Sequence, residues 1–312
     1  MSNIFGIVPS RRLGRSLGIT TIPMSTCTYS CVYCQRGRTK NMTDKREEYY
    51  PLKDLIQQLM AYKDKTDKFD VITLVGEGEP TLYSKTGALI EAIKQLFDKK
   101  VALITNGSLL FDEDVQKECA MADIVMPTLD AWDEDSFTQI NRPIKTIAFE
   151  QMYQGLLEFR QHYKGEFYLE LMCVGGISEK ENSSVLLTQK INQLSPDQVY
   201  INTPVRPPAE DWVKRCPEEF VNRLKKEFKS TKDVEIPDTD LYSENKDMYQ
   251  AIIEIIKRHP LDKKNIVKFC QQRNADSKQI LERLKNDDNV EKIDYENNTF
   301  YRVKTIRREI KR

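Results

Sequence analysis

The chain predicts an α/β protein: a partial (β/α)6 barrel followed by a C-terminal winged helix-turn-helix domain. Six short Val/Ile/Leu-rich runs between residues 16 and 202 alternate with helix-patterned segments, which implies a parallel sheet covered by helices. Six such units cannot easily close an eight-stranded barrel, so the barrel is expected to be open. Residues 247–304 then change to three short helices and a hairpin.

The elements follow in chain order. Ser16–Ile22 reads as a strand running into a cysteine loop, and Leu52–Tyr62 has Leu52, Leu55, Ile56, Leu59 and Met60 on one helical face. Asp70–Val75 is a buried-strand pattern that stops at Gly76-Glu77-Gly78-Glu79-Pro80. Helix Lys85–Phe97, strand Val101–Thr105 and helix Asp112–Met121 come next, then strand Asp123–Leu129 ending at Asp130. Helix Ile147–Tyr163 leads to strand Phe167–Val174, and helix Ser183–Leu194 leads to strand Gln198–Asn202. Pro217-Glu218-Glu219 has the form of a helix start.

In the tail, Met248–Arg258, Lys263–Gln271 and Ser277–Lys285 read as helices, the last two capped by Asp262 and Asp276. Strands Val290–Asp294 and Thr299–Val303 flank a turn at Tyr295–Asn298. A boundary is expected around Asp238–Ser243, giving a core of residues 1–240, with an N-terminal extension and a post-barrel segment. Residues 241–312 then form the winged helix and a basic tail.

Composition narrows the class. Of 312 residues, 31% are charged and 39% hydrophobic, a globular balance. Lys plus Arg equals Asp plus Glu at 48 each, so no overall charge announces nucleic acid or membrane. No apolar run reaches the roughly 18–20 residues of a membrane span, and the N-terminus lacks a signal-peptide pattern. A cytoplasmic protein with no membrane partner is expected.

Seven cysteines are an odd count in a chain too long to need disulfide staples. Cys119, Cys173, Cys216 and Cys270 are scattered and read as buried, inert thiols. Cys27, Cys31 and Cys34 are crowded into eight residues, and in a reducing compartment a metal explains them better than a disulfide. Structural zinc needs four ligands, and the two histidines, His162 and His259, are distant in sequence. A catalytic zinc on three thiolates lacks its His-x-Glu partner here. Three thiolates on one loop suit a four-iron cluster with one iron left for a small molecule.

In βα folds ligand chemistry gathers at the C-terminal ends of the strands. Here those ends carry the cysteine loop, residues 76–80, Thr105-Asn106-Gly107, Asp130, Gly175-Gly176 and Asn202. Each feature also has a plain reading. Gly76 and Gly78 permit a tight turn, Glu77 and Glu79 suit solvent or a helix N-terminus, and Asn106-Gly107 makes an ordinary turn. Asp130 is a substrate-side candidate or a helix cap. Arg142 contacts an anion or pairs with a carboxylate. Arg11, Arg12 and Arg15 form a solvated face or a phosphate grip. Co-occurrence lifts the Gly/Glu and Thr/Asn motifs above these readings.

Together, Cys27-x-x-x-Cys31-x-x-Cys34 after a first strand, Gly76–Pro80 after the second and Thr105-Asn106-Gly107 after the third resemble the radical S-adenosylmethionine (SAM) superfamily. Glu77 stands where the superfamily's Gly-Gly-Glu-Pro motif has its first Gly. The resemblance covers residues 5–205. The flanks, Val8 to Gly18, Tyr33-Cys34-Gln35 and Asn141-Arg142-Pro143, with the winged-helix tail, are similar to a group of Fe–S oxidoreductases loosely related to the radical SAM enzymes of tRNA wyosine-base formation.

The resemblance implies that Cys27, Cys31 and Cys34 hold a [4Fe–4S] cluster and that SAM binds its fourth iron. It implies that Tyr33 lies by the adenine, that Gly78 and Glu79 receive the methionine ammonium, and that Thr105 and Asn106 meet the ribose or carboxylate. Reductive SAM cleavage to a 5′-deoxyadenosyl radical would then remove hydrogen from a substrate. A low-potential donor such as flavodoxin or ferredoxin is implied. The substrate is open between tRNA and a peptide or protein. A different class, a non-catalytic Fe–S redox-sensing winged-helix regulator, would need no carboxylate at Glu79.

From Glu244 onward the chain has 17 Lys/Arg against 12 Asp/Glu, and the remainder has 31 against 36. Helix Ser277–Lys285 is the expected recognition element, with Lys278, Gln279, Arg283 and Lys285 outward. Glu282, Asp287 and Asp288 oppose contact with phosphates, and docking on the core is the competing use.

Overall fold

The computed structural model of the chain describes residues 2–10, 12–228, 243 and 245–304. The boundary expected at Asp238–Ser243 falls almost wholly outside them, as do Arg11 and residues 305–312 of the basic tail. The centre is a seven-stranded sheet in which each strand pairs with the next: β1 (Ile4–Ser10), β2 (Gly14–Ile19), β3 (Val71–Val75), β4 (Lys100–Thr105), β5 (Ile124–Pro127), β6 (Glu166–Met172) and β7 (Gln198–Asn202). β1 runs antiparallel to β2, and every later pairing is parallel. β1 and β7 are the edges, so the sheet is open.

Six parallel strands match the expected repeat, and β1 is the addition. Its sequence hides it: Gly6 has φ +42°, the register shifts between Phe5 and Val8, and Pro9 lacks an N–H. Proline belongs on an edge strand, where the missing donor faces away from the ladder.

The connections are helical: α1 (Leu52–Met60), α2 (Thr86–Leu96), α3 (Glu113–Cys119), α4 (Glu134–Ile140), α5 (Phe149–His162) and α6 (Glu181–Leu194). α1 buries Leu55 and Leu59, one helical turn apart, each worth about 1.5–3 kcal/mol of apolar burial. On β6 the exposure alternates, with Phe167, Leu169 and Leu171 buried between half-exposed Glu166, Tyr168, Glu170 and Met172. One face is therefore buried in the core, and the other carries Glu166, Tyr168, Glu170 and Met172 half-exposed.

Asp112 caps α3, accepting from Asp114 N and Val115 N. α4 was not expected. Only Phe137 and Ile140 carry its apolar face, although Asp133 and Ser136 close a capping box. Asp130 caps neither helix.

After α7 (Glu218–Glu227) come α8 (Met248–Arg258), α9 (Lys263–Gln272) and α10 (Ser277–Lys285), then β8 (Val290–Tyr295) and β9 (Asn298–Val303). Glu296 and Asn297, both at positive φ, form the two-residue turn between them. Leu261–Asp262 adds a third strand to β9. Ile252, Ile256, Ile266, Phe269 and Leu284 belong to a cluster of buried side chains separate from that under the large sheet. Tyr295 donates to Pro204 O at 3.0 Å and the Arg258 guanidinium lies 4.5 Å from the Phe5 ring centre, joining these elements to the sheet. Among the described residues no helix is long and apolar enough to cross a membrane.

Candidate functional site

Because β2 to β6 run parallel in register, their C-terminal ends lie on one rim: Ile19 beside Leu74, Val75 beside Ile104, Thr105 beside Pro127. The cysteine loop rises from the first of these strands. Cys27 closes a two-residue strand, Thr26–Cys27, paired with Asn41–Met42. Backbone bonds then hold the loop: Val32 N donates to Ile140 O at 2.9 Å, Ser30 N to Asn141 O at 3.1 Å, and Cys34 N to Cys31 O at 3.1 Å. Cys27, Cys31 and Cys34 are half-buried free thiols.

Two sulfurs receive amide donors. Tyr29 N and Asn106 Nδ2 reach Cys27 Sγ at 3.5 and 3.6 Å, and Asn141 Nδ2 reaches Cys31 Sγ at 3.6 Å. Such donors stabilise charge on sulfur and tune a bound cluster. Without metal, burial pushes the Cys27 thiol up to about 12 and raises Cys31 and Cys34 as well. The donor set fits a cluster: three soft sulfurs on one half-buried loop, with N–H groups aimed at two of them. Among the described residues no three His, Cys, Asp or Glu converge as for a single ion. A four-iron cube does not require that, since each thiolate takes its own iron.

Glu79 joins the rim. It is 1% exposed, and its Oε1 accepts from Thr81 N (3.0 Å), Thr81 Oγ1 (2.6 Å) and Thr105 Oγ1 (2.5 Å). Its Oε2 accepts from Asn106 N at 2.7 Å. Burial raises its pKa against these four donors. Asn106 Nδ2 also bonds Thr28 Oγ1 at 2.8 Å. Glu79, Thr105, Asn106 and the cysteine loop are thus one hydrogen-bonded unit. Gly78 is a glycine for a packing reason: a Cβ there would lie 1.7 Å from Thr26 O.

Asp130 sits fully buried below Tyr33. Its Oδ2 accepts from the Tyr33 hydroxyl and, at 2.9 Å, from Asn141 Nδ2, while Oδ1 accepts from Met172 N at 2.7 Å. Those bonds set it as a positioning group for Tyr33 and Asn141. Burial raises its carboxyl from 3.8 to about 6, against the three donors that lower it. The folded chain therefore keeps this proton where the unfolded chain has lost it, so stability falls as pH rises from about 4 to about 6 and levels above. Asp130→Asn is expected to flatten that limb by about 2–3 kcal/mol in urea melts of metal-free protein at stepped pH. An unchanged limb would assign the slope to another group.

Residues 21–186 match the profile of the radical SAM superfamily. The chain belongs to that superfamily. It is 34% identical to a UPF0026 protein of Methanocaldococcus jannaschii, over 96% of each chain. A protein of Brachyspira hyodysenteriae named GTPase Obg is 38% identical over 75% of this chain, which spans only 34% of that relative. A radical SAM methyltransferase structure from Sphaerobacter thermophilus superposes with a TM-score of 0.52 at 15% identity, covering 69% of this chain and 63% of that one. At that identity the likeness is one of fold.

One departure from the radical SAM motif, Glu77, and one arginine of a flanking motif, Arg142, now have surroundings. Glu77, in place of glycine, lies 3.6 Å from Arg36 Nη2. Arg142, at φ +49°, places Nη1 2.5 Å from Glu210 Oε1, a carboxylate that Arg38 also grips at 2.7 and 2.9 Å. Of the scattered cysteines, Cys119 and Cys270 are buried apart, whereas Cys173 and Cys216 are neighbours beside the paired strands Val174–Gly175 and Lys214–Arg215, where Cys216 Sγ donates to Glu179 Oε2 at 3.6 Å.

Sequence reasoning passed over two side chains. In the sequence Asn141 stands out only within a flanking motif, yet it touches both Cys31 and Asp130. Glu170 reads as part of a plain strand, yet it pairs with Arg12 and accepts from Asn202 Nδ2 at 3.1 Å. The period-two pattern of β6 carried the signal for Glu170, and nothing in the sequence near residue 141 pointed to a sulfur contact.

Proposed function

We propose that this radical SAM protein is an enzyme that holds a [4Fe–4S] cluster on Cys27, Cys31 and Cys34 and binds SAM beside it. The supporting observation is the bonding of Asn106 to Cys27, Thr28 and Glu79, which ties three separate motifs into one rim. When bound, the cluster and SAM together supply reductive cleavage of SAM and a 5′-deoxyadenosyl radical that takes hydrogen from the substrate.

The chain's own part is to bind, orient and exclude water. Tyr33, held by Asp130, offers a ring for the adenine. Glu79 Oε2 has capacity for a further donor beyond Asn106 N, and with Gly78 it receives the methionine ammonium. Thr105 is committed to Glu79 through its hydroxyl, so contact with the ribose or carboxylate falls mainly to Asn106. Flavodoxin or ferredoxin supplies the electron.

The open sheet reads as a partial barrel, and α8, α9, α10 with the β8–β9 hairpin read as a winged helix-turn-helix. On α10, Arg283 stacks on Tyr249 at 3.8 Å and Lys285 pairs with Glu282 at 3.7 Å. Part of its charge is thus engaged within the fold, which favours docking on the core over contact with tRNA.

The test is anaerobic. The protein, reconstituted with iron and sulfide, is expected to release 5′-deoxyadenosine from SAM with dithionite, and Cys31→Ala to release none. A chain that takes zinc and forms no cluster would overturn the reading.

A further inference from the structure

Behind the cysteine loop, where α8 and β9 close over residues 24–40, lies a cavity of about 30 Å³. A water needs roughly 10–15 Å³ on this scale, so the space suits one tetrahedral oxyanion and no nucleoside. Six cations line it, Arg36, Lys40, Lys257, Arg258, Arg302 and Lys304, and none of its lining residues is acidic.

Three of the arginines carry buried nitrogens with no hydrogen-bond partner: Arg36 Nε and Nη2, Arg258 Nε, and Arg302 Nη1. Nearby carboxylates answer them only in part. Glu77 stands 3.6 Å from Arg36 Nη2, and Glu291 holds Arg302 Nε at 2.5 Å. Burying guanidinium N–H groups without acceptors is costly, and crowding like charges adds to that cost. The positive field also acts on His259 in the same lining, whose imidazole is depressed to about 3 by burial and by Arg206, Arg258 and Arg36.

We propose that this cavity binds a phosphate-class oxyanion, either free inorganic phosphate or the terminal phosphate of a larger ligand. A planar fork of N–H donors matches phosphate oxygens, and the stranded nitrogens are the donors such a ligand would fill. Cys27, Cys31 and Cys34 are not among the residues that line the cavity, although Arg36 and Arg302 lie close enough to Cys34 to oppose the rise that burial gives its thiol.

The test uses the full chain, cluster-loaded, at low ionic strength because salt screens these charges. Equilibrium dialysis with radiolabelled inorganic phosphate is expected to show one saturable site per chain with Kd near or below about 1 mM. Arg258→Gln/Arg302→Gln should weaken binding by about tenfold or more, with Lys257→Gln, at the cavity margin, weakening it by about two- to threefold. A 5′-phosphorylated oligonucleotide competing better than its dephosphorylated form would identify a larger ligand with a terminal phosphate, and competition by neither would identify free phosphate. Absence of saturable binding up to about 10 mM overturns the proposal. So does binding unchanged in folded Lys257→Gln, or binding seen in cluster-free protein and lost on cluster loading, which would make the cations partners of the cluster.

Discussion

Alanine at Glu79 is expected to abolish SAM cleavage while the chain still takes up iron. The substitution strands Thr81 N, Thr81 Oγ1, Thr105 Oγ1 and Asn106 N beneath a 1% exposed position. Each buried donor left without an acceptor costs about 1–3 kcal/mol, and hydroxyls that turn elsewhere recover part of it, so a loss of about 3 kcal/mol or more is expected. Glu79→Gln keeps the shape but must point an amide NH2 at one set of donors, and should fall between the two. No cysteine sulfur bonds Glu79 among the described residues, so iron content should stay near wild type. A thermal melt and a 5′-deoxyadenosine assay on the three proteins decide it. Wild-type melting of Glu79→Ala would show that the rim is not joined through this carboxylate, and wild-type cleavage would remove Glu79 from SAM binding.

Alanine at Gly78 should act on the metal instead. The added methyl would sit 1.7 Å from Thr26 O and 2.6 Å from Thr26 C, both backbone atoms next to Cys27. Neither can yield as a side chain would, so the Thr26–Cys27 strand must move and the bond from Glu79 N to Thr26 O, 3.1 Å long, must break. Overpacking of this kind costs about 1–3 kcal/mol or more, and the displaced thiol is expected to lower iron loading by about tenfold. Gly176→Ala is the control: its φ is +83° but nothing lies within 4 Å of the new Cβ. That change should cost about 1 kcal/mol and leave iron loading untouched. Equal iron content in the two variants would refute the packing argument at Gly78.

Much of this is legible in the sequence. The six parallel strands announced themselves because continuous Val, Ile and Leu runs have few other uses, and α8 and α10 begin and end where the apolar spacing and, for α10, the Asp276 cap place them. The cysteine spacing and the two rim motifs were equally visible. What stayed hidden was pairing across long sequence separations. That Glu79 spends its oxygens on Thr81, Thr105 and Asn106, or that Cys173 meets Cys216, depends on which strand ends become neighbours, and no local pattern encodes it. β1 was missed because Gly6 and Pro9 are poor strand formers, tolerated only at an edge.

The cover formed by α8 and β9 also has a history within each molecule's synthesis. Arg36, two residues past Cys34, donates to the carbonyl of Arg258 at 3.0 Å, across a sequence separation of 222 residues. At about 5–20 residues per second, a ribosome needs roughly 10–45 s to travel between them. Through that interval residues 24–40 have no α8 or β9 packed behind them, and the cations that the two segments share are brought together only when the tail is made.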